Sequence, residues 1–402
     1  MLSALRCFRR PSHGTRGVSM VARHFAKRKV LYPFMSKAAT VFDFGLSAAE
    51  EERAAELHKT CRVYDGLMEC SWYPGLVENL LAGGPQVGGS LSLGNAGLER
   101  LLGEKEHMEA EPAKWWTYET LVRDLAYVRA ACHESAGKVH FCTSAAELEA
   151  AYSAGAVALT ADVQNSNFIG PDFDRLETVY WLGVRRIQVT YNDANAAGHG
   201  CMEDFDGGLT KWGHRLVAAM NDLGMIADTG HCKPQTVIDV AKASRKPMTC
   251  SHAGLSSISA ANPRTQTDEA IKAVAKTGGV FGVVAVPSAI NNTDWCTVAD
   301  LVNNIDAAVK VVGEDHVGFG SDFVMSAALE EIFTAPEWSA DRAAAVKTSG
   351  AVWPFSDGHA GFENNGGYRN LTRGLVAKGY SDEAIRKIMG GNFLRVFREV
   401  VG

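Results

Sequence analysis

From about residue 60 onward, short runs rich in β-branched residues alternate with longer stretches whose apolar positions recur every three to four residues. That alternation predicts parallel strands wrapped by helices, because parallel neighbours need a crossover and bury both sheet faces. The candidate strands are Arg62 to Asp65, Val87 to Leu93, Val157 to Gln164, Arg186 to Tyr191, Met225 to Gly230, Pro247 to Ser251, Val280 to Val286 and Val317 to Gly320. Eight such runs fit one (β/α)8 TIM barrel over 36–402 better than two domains.

The helices between them have legible ends. Thr297 with Asp300 reads as a cap, Val298, Leu301, Val302, Ile305, Val309 and Val312 then mark one apolar face, and Gly313 ends the helix. Trp212, Leu216, Met220 and Leu223 line a second stripe closed by Gly224, and Pro234 suits the first turn of a helix running to about Ser244. These faces are core. Gly83 to Gly97 and Thr334 to Gly367 read as long loops where substrate lids would lie, and the first lacks the Gly and Lys spacing of a phosphate loop.

Three of the strand-like runs lead into chemistry. Met225 to Gly230 is followed by His231, Pro247 to Ser251 by His252, and Val317 to Gly320 by Ser321-Asp322. In a parallel barrel the C-terminal strand ends share one mouth, so two imidazoles and a carboxylate distant in sequence can meet there. Neutral imidazole suits Zn²⁺, and a neighbouring carboxylate can ligate the ion or take a proton from its water. Other polar residues have plainer readings: His199 as a solvated loop residue, Asp228 as a strand-buried partner, His359 as part of a lid.

Composition narrows the function without naming it. A net charge of -6 over 402 residues leaves no basic footprint for nucleic acid or an anionic membrane, which favours a small-molecule substrate. The nine cysteines are scattered with no C-x-x-C pair, as in a reducing compartment, and no apolar run reaches the length of a membrane span. Residues 1–35 are basic, carry no acid, and read as a mitochondrial presequence or a disordered extension; the expected location is mitochondrial or cytoplasmic.

Several segments together resemble the membrane dipeptidase (renal dipeptidase, peptidase M19) family of the amidohydrolase superfamily. They are Gly183-Val184-Arg185-Arg186, Gly208-Leu209-Thr210 to Met220-Asn221, Gly224-Met225-Ile226 to His231, Ser251-His252, Pro263-Arg264, Asp315 to Phe323, and Gly390-Gly391-Asn392-Phe393-Leu394-Arg395-Val396-Phe397. The resemblance spans roughly residues 60–400 and implies a barrel hydrolysing dipeptides with two zinc ions bridged by a glutamate. It implies that His231 and His252 serve the second metal, that Asp322 orients or deprotonates the attacking water, and that Arg264 grips the substrate carboxylate. By family analogy it also implies a homodimer.

The departures are similar to a subgroup of that family with an altered metal site. Leu67 stands where the family has a histidine ligand, with Glu69 for the shorter carboxylate, and Gln164 stands at the bridging glutamate. A two-residue slip would offer Asp162 instead but breaks the match at Ile169-Gly170. Tyr191 takes the place of a carbonyl-polarising histidine. One zinc ion or none is therefore expected, held by His231, His252 and Asp322 with Gln164 or Glu69 as additions. The leading expectation is a dipeptidase-like hydrolase in which Asp322 is the base and Tyr191 steadies the oxyanion. The alternatives are a non-catalytic ligand-binding barrel and a metal-independent lyase or isomerase.

Overall fold

A computed structural model of the chain describes residues 39–69, 76–94, 116–293, 296–323 and 359–402, with the side chains of Glu69, His359 and Ala360 excluded. All eight expected strands form one parallel sheet in chain order: β1 (Val63–Glu69), β2 (Val87–Ser92), β3 (Val157–Val163), β4 (Val184–Gln188), β5 (Ile226–Asp228), β6 (Thr249–Leu255), β7 (Val280–Val284) and β8 (Val317–Gly320). The sheet curls until its last strand meets its first. There the Asp322 N–H donates to Leu67 O at 2.8 Å and the Ser321 N–H to Asp65 Oδ1 at 2.8 Å. The fold is a (β/α)8 TIM barrel.

Two short strands on the barrel sheet escaped the sequence pattern, Val139–Phe141 beside β3 and Thr265–Gln266 beside the end of β6, as did the separate pair Cys296–Thr297 and His359–Ala360. At three and two residues they are too short to show a period. The stretch expected as a loop over Gly83 to Gly97 contains β2, while the lid expected over Thr334 to Gly367 lies largely outside the described residues.

The helix ends follow the capping logic. Thr297 and Asp300 form a reciprocal capping box at the start of Val298–Val312, and Lys211–Leu223 stops at Gly224, whose φ of 75° suits a residue without a side chain. Pro234 opens Pro234–Ala243 as expected. The C-terminal helix Asn392–Val400 closes the floor of the barrel, with Phe393 packing among Tyr64, Ala158, Ile226 and Val280. Asn392 Nδ2 ties it to β8 by donating to Val317 O at 2.8 Å.

Two irregularities in the sheet matter for the site. β6 does not stop before His252: it runs through to Leu255, and its pairing with β7 shifts between Cys250 and Ala253, so an extra residue bulges there. The pairing of β1 with β2 shifts between Asp65 and Glu69, around Leu67. Bulges re-aim side chains, and both sit at the C-terminal rim.

Candidate active site

His231 and His252 arrive at the rim by different routes. β5 ends at Asp228, earlier than expected, because the Gly230 N–H turns back to Asp228 Oδ2 at 3.3 Å and ends the ladder. His231 therefore stands on a turn. Gly230 must be glycine: a Cβ there would come within 2.7 Å of His252 Nδ1. His252 stands in the β6 bulge, fully buried.

Each ring is fixed by a partner on its inner nitrogen. His231 Nδ1 lies 2.8 Å from Asn192 Oδ1, which accepts its proton. His252 Nδ1 lies 2.7 Å from Ser251 Oγ, and that hydroxyl donates its own proton to Asp228 Oδ2 at 2.7 Å. Both rings thus carry hydrogen on Nδ1 and a lone pair on Nε2. The two Nε2 atoms face each other at 3.1 Å. Burial first, and then the charge of Arg264, hold both imidazoles well below their usual pKa, so both rings are neutral at neutral pH.

The other expected residues gather round this pair. Gln164 Nε2 donates to His252 Nε2 at 3.2 Å while its Oε1 accepts from Ser92 Oγ at 3.1 Å. Asp322 places Oδ2 3.9 Å from His252 Nε2 and 3.9 Å from Arg264 Nη1. Burial lifts its carboxyl from 3.8 to about 6, against the opposing pull of Arg264. Arg264 is no surface ion pair: only 13% of its side chain is exposed, Nη2 donates to His252 O at 3.1 Å, and Nε is buried with no protein partner. Tyr191 lies in the loop beyond β4 rather than in the strand and stacks on His231, centroids 4.1 Å apart, with Trp116 at 5.2 Å from Tyr191.

The first-strand half of the site is different. Leu67 is fully buried, and the Glu69 side chain lies outside the described residues. Asp162, the alternative bridging carboxylate, is committed elsewhere: its Oδ2 receives Arg186 Nη2 at 3.0 Å in the barrel interior. Among the described residues no three His, Cys, Asp or Glu side chains converge closely enough to hold an ion by themselves. His199 is not part of the site; its Nδ1 lies 3.2 Å from Gly208 O. The side chain of His359 is outside the described residues.

Sequence reasoning missed the supports. Asp228 is a buried partner as expected, yet its role as the anchor behind Ser251 and His252 was not foreseen; nor was Asn192 behind His231. The Ser251-His252 dipeptide was the available signal for the first. Cys232 and Cys250, next to the histidines in sequence, are free, fully buried thiols.

A parallel barrel with paired imidazoles, a raised-pKa carboxyl and an arginine at its C-terminal rim belongs to the metal-dependent hydrolase class of TIM barrels. The chain belongs to the membrane dipeptidase family, peptidase family M19, whose profile matches residues 116–341 and 354–401. It is a hydrolase of the dipeptidase type. A Klebsiella pneumoniae relative known as the "Uncharacterized protein in pqqA 5'region" is 28% identical over 290 residues, covering 70% of this chain and 96% of its own. An amidohydrolase from Pseudomonas aeruginosa superposes with a TM-score of 0.73 at 27% identity, covering 87% of this chain and 99% of its own. The probable dipeptidase PvdM from the same organism superposes at 0.71 with 20% identity, covering 88% and 99%.

Proposed function

We propose that this protein hydrolyses a small dipeptide-like amide bearing a free carboxylate, using one metal ion instead of the family's two. The observation that carries the reading is the pair of buried, unprotonated Nε2 lone pairs facing each other at 3.1 Å. Two nitrogens bound at about 2.0–2.1 Å to one tetrahedral zinc ion are roughly 3.3 Å apart, close to the spacing here. His231 and His252 therefore fit one ion, with Asp322 the nearest carboxylate. A second ion does not fit, because Leu67 offers no donor and Gln164 turns an N–H, not an oxygen, toward the site.

An ion held there would supply a bound water with its pKa lowered to about 7. The chain's own residues supply the rest. Arg264 presents a buried guanidinium with an unpartnered Nε, suited to a carboxylate at one end of the substrate. Asp322, between that arginine and His252, takes the proton from the attacking water and returns it to the leaving amine. Tyr191 backs the His231 ring and offers one phenolic hydrogen bond to the scissile carbonyl.

The test is metal content after mild purification, measured with hydrolysis of alanyl-alanine before and after chelation. One zinc per chain, with activity lost on chelation and restored by zinc, is the expected result. Full activity without metal points to the lyase or isomerase alternative, and binding without turnover to a non-catalytic barrel; either overturns the reading.

A further inference from the structure

Asp322 has an unusual backbone. Its φ is 53°, left-handed, one of only three such non-glycine residues among those described. Aspartate tolerates that conformation better than most residues with a side chain, so what matters is what fixes it there. What surrounds it is a buried hydrogen-bond network rooted in Asp65, fully buried near the start of the β1 irregularity. Asp65 Oδ1 accepts from the Ser321 N–H at 2.8 Å and the Leu67 N–H at 3.1 Å, and the Asp322 N–H in turn donates to Leu67 O at 2.8 Å. One carboxylate oxygen thereby ties Ser321, the residue just before Asp322, to Leu67 on the first strand.

The other oxygen is anchored from outside the barrel wall. Tyr368 donates its phenol to Asp65 Oδ2 at 2.7 Å, Asn365 Nδ2 donates to that phenol at 2.7 Å, and Asn79 Nδ2 donates to Asn365 Oδ1. Asp65 thus joins β1, β8 and the segment 365–368. Asp65, Asn79, Asn365 and Tyr368 are all buried.

We propose that Asp65 is a positioning residue for the reaction: anchored by Tyr368, it clamps the β1–β8 seam so that Asp322 is held left-handed with its carboxylate toward His252 and Arg264. The inference rests on the assignment of Asp322 as the base. It adds the device that aims that base. Displacing a reacting group by an ångström costs on the order of a hundredfold in rate, whereas Arg264 keeps its own anchor on His252 O, outside the clamp.

The experiment compares Asp65→Ala, Asp65→Asn and Tyr368→Phe for alanyl-alanine hydrolysis, thermal midpoint and crystal structure. Asp65→Ala should lower kcat by about 10- to 100-fold with KM within about threefold. Asp65→Asn keeps an acceptor oxygen for the two backbone N–H groups and should restore most of that loss. Tyr368→Phe removes only the anchor and should lower kcat by roughly threefold. The variant structures should show the φ of residue 322 leaving the left-handed region or Oδ2 withdrawing from His252. An unchanged residue 322 in those structures, or a lower thermal midpoint with kcat intact, overturns the proposal and leaves Asp65 a stability clasp. If Asp65→Ala does not fold, Tyr368→Phe decides by the same measures. Asp322→Asn separates the two claims. Full activity in that variant sinks the assignment of the base, while its inactivity beside an unaffected Asp65→Ala sinks the clamp alone.

Discussion

The two halves of the rim differ in what backs them. At the ends of β5 and β6, both imidazoles keep an acceptor behind them, Asn192 for one and Ser251 with Asp228 for the other, so each ring has one tautomer and one direction. At the ends of β1 and β3, the corresponding positions hold Leu67, which has nothing to donate, and Gln164, whose amide already serves His252 and Ser92. The metal-binding capacity of a site resides as much in the partners behind its ligands as in the ligands, and on the proposed reading only the His231 and His252 half has both.

The largest expected effect comes from breaking the intact half. His231→Ala or His252→Ala removes one of two fixed donors and should lower hydrolysis by at least about a thousandfold and take bound zinc to background. Elemental analysis beside a rate assay checks it, and a variant that keeps its zinc would move the metal to other residues. Next comes Arg264→Ala, which should raise KM by about 10- to 100-fold, the loss of a charge-assisted hydrogen bond to a carboxylate, with a smaller change in kcat. A dipeptide amide lacking the carboxylate should bind wild type and variant equally.

The pH dependence turns on Asp322. Its carboxyl is raised by burial from 3.8 to about 6, so the basic form is lost as pH falls through 6 and kcat/KM should drop about tenfold per unit below that point. Stability runs the other way for this group. Between about pH 4 and 6 the folded chain holds a proton that the unfolded chain has released, so the contribution to stability is greatest in acid and disappears as pH rises through 6. Asp322→Asn should therefore raise the thermal midpoint at pH 7.5 while abolishing activity. A lower midpoint would show that the charge is not buried at a cost.

The comparison sharpens by repairing the poor half. Leu67→His with Gln164→Glu should raise zinc from one to two per chain. Without added metal, Gln164→Glu alone should lower the thermal midpoint, since it buries a carboxylate beside a lone pair, and zinc should reverse the loss. If the double variant still holds one ion, the β1 irregularity around Leu67 aims that side chain away from the site.

The eight strands and the capped helices were legible because they are written in local periodicity and in Thr297, Asp300, Gly224 and Pro234. The meeting of His231, His252 and Asp322 was legible because each follows a strand and parallel strands share a rim. The supports were not legible. The approach of Asn192 to His231, of Asp65 to Ser321 and of Tyr368 to Asp65 joins residues up to 303 positions apart, and a single sequence carries no trace of such pairs. The bulge that turns His252 inward was hidden for another reason: it adds one residue to a strand whose neighbours all read as apolar or small.

The smallest expected effect tests how the intact half uses Tyr191. Its ring lies on His231 at 4.1 Å and 27° between planes, so it contributes apolar contact that holds the imidazole, and on the proposed reading its phenol supplies one neutral hydrogen bond to the scissile carbonyl. Tyr191→Phe removes only the second and should cost about three- to tenfold in kcat, in line with one such bond. Tyr191→Ala removes both and should also weaken zinc binding, because His231 loses a wall on one face. Equal kcat and equal zinc affinity in the two variants would mean that the stack contributes nothing and that Asn192 alone sets the ring. A loss of several hundredfold in Tyr191→Phe would instead make the phenol the main stabiliser of the oxyanion.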